Sequence, residues 1–73
     1  MTQQQSAISM KDCIRFIRER LDGAIAVAKA AEVCAEAGDS GRAIAILLNV
    51  ERPLYEVTTL LNAASLLHRC AES

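Results

Sequence analysis

The sequence predicts an all-α protein folded as an antiparallel helical hairpin, and three observations carry that reading. Apolar residues recur at steps of three and four along most of the chain, the period of one helical face. One cluster of turn residues, Gly38-Asp39-Ser40-Gly41, divides the 73 residues near their middle. No segment reads as a strand.

Residues 1–8 include three consecutive glutamines and little that packs, so they are expected to form a disordered tail ahead of a single helical domain over 9–73. Ser9 is placed to cap a first helix, with Asp12 three residues later completing a variant of the capping box. That helix is expected over 10–37. Met10, Ile14, Ile17, Leu21, Ile25 and Ala28 share one face of it and are expected to meet the second helix. Lys11, Arg15, Arg18, Asp22 and Lys29 lie opposite, with Arg15–Glu19 and Arg18–Asp22 spaced as i,i+4 pairs on a solvated face.

The turn is expected at 38–41, with Gly38 ending one helix and Asp39 or Ser40 capping the next. A second helix follows over 42–70, its broad stripe running through Ile46, Leu47, Val50, Leu54, Val57, Leu60, Leu61, Ala64 and Leu67. Pro53 lies inside that pattern. It cannot donate to the carbonyl of Asn49 and it disfavours a helical Arg52, so it kinks the helix or breaks it in two. The stripe keeps its phase across Pro53, which favours the kink. Folding back helices of about 28 and 30 residues places Leu21 near Thr58, Ala28 near Glu51 and Ala31 near Leu48, to within about a turn.

A hairpin buries one stripe per helix, and both helices carry a second. Cys13, Val27 and Cys34 on the first, with Ile46, Leu60 and Leu67 on the second, are therefore expected to form the interface of a homodimer, a four-helix bundle. Size points the same way. A chain this short seldom stabilises one core alone and relies on disulfides, metals or oligomerisation. Cys13, Cys34 and Cys70 are an odd number, and no secretory signal precedes them, so reduced thiols in the cytoplasm are expected. The expected register brings Cys13 within about a turn of Cys70, which admits either a disulfide or small buried thiols. No metal-ligand spacing surrounds the lone His68, and no metal or cofactor is expected.

Composition, 52% apolar and 23% charged, belongs to a globular protein. A net charge of -1 gives no bulk attraction to nucleic acid or to an acidic membrane. Lys29, Glu32 and Glu36 interrupt the longest apolar stretch well short of the ~20 residues of a bilayer span. A catalytic nucleophile needs an adjacent base with its own orienting group, and a single histidine near the C-terminus offers no such set. The chain is therefore expected not to be an enzyme.

Lys11, Arg15, Arg18 and Arg20 form a basic cluster that suits phosphates. The helix after the turn is nonetheless apolar through Ala43–Leu48, unlike a recognition helix that presents polar groups to base edges. Nucleic-acid binding through the basic face and carriage of a small apolar ligand stand as alternatives. The principal expectation is a protein-binding module that meets its partner through Lys11, Arg15, Phe16 and Arg18, with Tyr55 next, because Arg and aromatic residues recur at interface hot spots.

Gly38-Asp39-Ser40-Gly41-Arg42-Ala43-Ile44 resembles the turn between the two helices of a tetratricopeptide repeat, with Ala31 and Ala43 where that family sets small packing residues. The family's aromatics are absent, Pro53 arrives two residues early, and one repeat cannot stack into a solenoid. The layout is also similar to short two-helix proteins of unknown function from pseudomonads and to small regulators of bacteria or their phages. That similarity implies a regulatory or inhibitory binding protein and assigns no residue a role.

Overall fold

Ser9 opens the first helix as its sequence neighbourhood demands. In the computed structural model, which describes residues 9–72, Ser9 is extended and its Oγ accepts from the Asp12 N–H at 3.1 Å. The Asp12 carboxylate accepts in return from the Ser9 N–H at 3.4 Å, which completes the capping box. The expected tail over 1–8 lies outside the described residues. Hydrogen bonds with Ser9, and to a lesser degree the guanidinium of Arg15, hold the Asp12 carboxyl below the ordinary aspartate value. A carboxyl whose pKa is lowered on folding stabilises above its ordinary pKa and ceases to do so as pH falls through the lowered one. Ser9→Ala is therefore expected to cost about 1 kcal/mol at neutral pH, with the gap to the parent protein narrowing in acid. Urea denaturation at neutral and acidic pH checks both.

Helix α1 spans Met10–Glu36, and Ala37 caps it. Gly38 follows at φ +86°, a conformation that costs other residues about 1 kcal/mol or more. It lets the Gly38 N–H reach the Ala35 carbonyl at 3.0 Å and the Asp39 N–H reach that of Cys34 at 2.9 Å, which together satisfy the open end of α1. Asp39 then caps the next helix, its Oδ1 accepting from the Arg42 N–H at 3.0 Å. Helix α2 consequently begins at Ser40, two residues before the expected start, and spans Ser40–Leu47.

The single helix expected over 42–70 is instead divided. One 3₁₀ turn, Leu48–Val50, separates α2 from α3, which spans Glu51–Glu72. The Glu51 N–H donates to Leu48, three residues back rather than four. The tightening falls just ahead of Arg52 and Pro53, where proline removes a donor and crowds the residue before it. Pro53 itself sits in the first turn of α3, where a missing N–H costs least.

The two arms lie side by side in an elongated body of 56 × 23 × 13 Å, with a radius of gyration of 16.9 Å against roughly 11 Å for a compact domain of this length. Arg20 Nε meets Glu56 Oε1 across the hairpin at 3.4 Å. The register thus falls three positions from the expected Leu21–Thr58 pairing, just under one turn.

The seam between the arms is built from small residues. Cys13, Ala24, Ala31, Ala43 and Ala64 are the buried apolar side chains among the described residues. Ile17, Arg20, Val27 and Cys34 fill the intervening positions on α1 and are half-buried, as are Ile46, Val50, Pro53, Val57 and Leu60 on the second arm. In both arms these positions alternate steps of three and four without a break, the 3.5-residue period of a coiled-coil seam.

On α1 the expected rows are largely exchanged, although Ile17 keeps its inward place, as do Val50, Val57 and Ala64 of the second arm's stripe. Cys13, Val27, Cys34, Ile46 and Leu60, read as the dimer interface, line the seam inside the hairpin, and Leu67 stands near its open end, 37% exposed. Ile14, Leu21 and Ile25, read as the inward row, are exposed. Alanine decides the matter. The buried positions of the seam are Ala24 and Ala31 on one arm and Ala43 and Ala64 on the other, and helices that meet through small side chains can approach toward the short end of the 8–10 Å range.

Candidate interaction face

A seam one heptad stripe wide leaves two broad faces on the hairpin, and the two differ in chemistry. On one, α1 contributes Ile14, Leu21, Ile25 and Ala28, each beside the seam on the same flank. In an antiparallel pair the matching flank of the other arm lies on the same side, and there it contributes Ile44, Leu47, Leu54 and Leu61. An open groove of about 590 Å³ joins the two sets near the turn, with Ile25 and Ala28 on one wall and Ile44 and Leu47 on the other. The seven large side chains of this face are 41–57% exposed. Lys11 borders it at the open end of the hairpin, Arg18 and Glu51 border it near the middle, and Lys29 and Glu32 border it toward the turn.

The opposite face carries more charge, with Val33 and Leu66 the large aliphatic side chains exposed on it. Arg20 joins Glu56 at 3.4 Å and Glu19 at 3.6 Å, and Arg52 reaches Glu56 at 3.5 Å. The Phe16 ring is half-buried there, with the guanidinium carbons of Arg15 and Arg20 at 5.1 and 5.8 Å from its centroid, both within cation–π range. Tyr55 stands 74% exposed and borders a shallow hollow with Arg20, Glu56, Thr59 and Leu60.

The expected partner-binding set is accordingly divided. Arg15 and Phe16 stay together and gain Arg20, with Tyr55 on the far arm, whereas Lys11 and Arg18 turn to the rim of the apolar face. The four cations make no single basic patch. Arg15 pairs with Asp12 at 3.1 Å, Arg18 with Asp22 at 2.9 Å and Arg20 with Glu56, so carboxylates offset most of their charge. Hydrophobicity alone does not single out the apolar face, because its largest residues rank as the hairpin's own core. The signal that identifies it is the unbroken 3.5-residue row through Ala24, Ala31, Ala43 and Ala64.

All three cysteines are free. Cys13 is fully enclosed, Cys34 half-buried and Cys70 exposed, so Cys13 packs as a small apolar side chain. His68 borders a small hollow with Met10, Ala64, Ser65 and Arg69. No helix among the described residues is long and apolar enough to cross a membrane. The chain matches no family model, no curated protein and no solved structure.

Proposed function

We propose that this chain is a small non-enzymatic protein-binding module of the cytoplasm. In this reading it acts as a homodimer that regulates, inhibits or chaperones another protein. One observation carries the proposal: a hairpin a single layer thick gathers seven half-exposed Leu and Ile side chains on one face and charged pairs on the other. Water contact at each half-exposed side chain forgoes on the order of 1 kcal/mol, and contiguous patches of this kind mark interaction surfaces. Two hairpins stacked on their apolar faces make a four-helix bundle, which supplies the second layer that a helical stripe requires.

Stacking leaves the polar faces outward, and on them Arg15, Phe16, Arg20 and Tyr55 offer the arginines and aromatics typical of interface hot spots. That outer surface is where a different protein is expected to bind. Light scattering after size exclusion, under reducing conditions and at two concentrations, tests the dimer. The expected mass is about 16 kDa, twice the 7.9 kDa of the chain. A particle that stays at the monomer mass at both concentrations removes the dimer from the proposal.

A further inference from the structure

We infer that the apolar face is covered by a second copy of this chain laid antiparallel, α1 on α1 and second arm on second arm, about a two-fold axis that passes by Leu21 and Leu54. The inference rests on the dimer proposed above and specifies its geometry. Size fits the occupant. The broad side of the hairpin measures 56 by 23 Å, which exceeds the roughly 800 Å² that each partner gives to a standard interface. A two-fold interface also requires one self-complementary patch, and a face that joins both arms of one chain meets that requirement.

Charge selects the direction. Lys11 stands on the rim near the open end and Glu32 on the rim nearer the turn, where Lys29 also lines the groove; Arg18, paired with Asp22, and Glu51 lie within one turn of the axis. Reversing the second copy about Leu21 sets Lys11 of one copy opposite Glu32 of the other, twice per dimer. Stacking the copies parallel would instead leave Lys11 and Glu32 at opposite ends of the bundle and forgo both contacts. Lys11 and Glu32 are both exposed and have no ion-pair partner among the described residues.

Size complementarity follows from the same axis. Counting equal steps from Leu21 along α1 sets Ile14 over Ala28, a large side chain on a small one. Counting from Leu54 along the second arm sets Leu47 over Leu61 and Leu54 over its own copy. The two axis positions agree, because Leu21 and Leu54 lie at nearly the same distance from the turn, about 25 Å at 1.5 Å per residue. One axis therefore serves both arms.

A charge swap tests this geometry. Lys11 and Glu32 lie about 30 Å apart on one helix, so they never meet within a copy. The dissociation constant of the dimer is measured by sedimentation at low salt for the parent chain, Lys11→Glu, Glu32→Lys and the double variant. Each single reversal creates two like-charge contacts per dimer and is expected to raise the constant about ten-fold, with the double variant returning to within about three-fold of the parent. Both sites are exposed, so the helical content by circular dichroism should not change. Single variants that bind like the parent, or a double variant as weak as the sum of the singles, would overturn the antiparallel pairing while leaving the dimer standing. A monomeric parent chain would overturn the dimer and the pairing together.

Discussion

Replacing Ala31 by Leu is expected to destabilise the hairpin by about 2 kcal/mol or more. Ala31 is 5% exposed on the seam near the turn, where α1 meets Ala43 of α2. Ala31 also borders the open groove near the turn, but at 5% exposure three further carbons must part the helices before they reach it, and neighbouring contacts along the seam lengthen. Stability for a chain of this size is expected at roughly 0.05–0.15 kcal/mol per residue, which makes such a loss a large part of the whole. Urea denaturation followed by circular dichroism measures it. Ala30→Leu, one residue away on the exposed surface, serves as the control and is expected to stay within about 0.5 kcal/mol of the parent. Equal stability of the two variants would show that small residues are not what sets the distance between the arms.

The second large effect concerns association. The double variant Leu21→Lys, Leu54→Lys is expected to weaken the dimer at least 100-fold and to move the solution mass toward 7.9 kDa. Four leucines per dimer lie at the proposed axis, each with on the order of 1 kcal/mol of remaining exposure to lose, and each substitution also carries a charge into the interface. The two side chains are 41% and 46% exposed within one hairpin, so its own seam does not depend on them. Val33→Lys changes an equally apolar exposed residue on the other flank of α1 and should leave the mass unchanged. Retention of the dimer by the double variant would mean that some other surface joins the copies.

The punctuation of this fold is legible in the sequence because local chemistry dictates it. Ser9 and Asp12 cap α1 through their own side chains, and Gly38 takes the positive φ that closes the helix. The start of α2 is less legible. Ser, Gly and Arg all follow Asp39, and only the bond from the Arg42 N–H to the Asp39 carboxylate shows that the helix already includes Ser40 and Gly41. Pro53 signals a disturbance, yet the chain absorbs it upstream, in the 3₁₀ turn at Leu48–Val50.

Orientation is where sequence reasoning misled. Each helix carries two apolar rows separated by little more than one position around its circumference, and hydrophobicity ranks the row of Ile14, Leu21 and Ile25 above that of Cys13, Ala24 and Ala31. The hairpin follows close approach of the backbones instead of side-chain size. For the same reason the basic residues, taken together in sequence, part in space. Arg15 and Phe16 follow one face while Lys11 and Arg18 follow the other.

The alanine seam also bears on how long a copy survives. The seam fully encloses only Cys13 and four alanines and half-buries the larger side chains between them, so one hairpin alone is expected to hold a small margin over its unfolded chain. In the proposed dimer, pairing would add the remaining margin, and pairing depends on concentration. Newly made chains at low abundance would spend a larger fraction of time open and within reach of proteases, while chains above the dissociation constant would persist. Turnover would then fall as the protein accumulates, so that its level rises sharply with synthesis instead of in proportion to it.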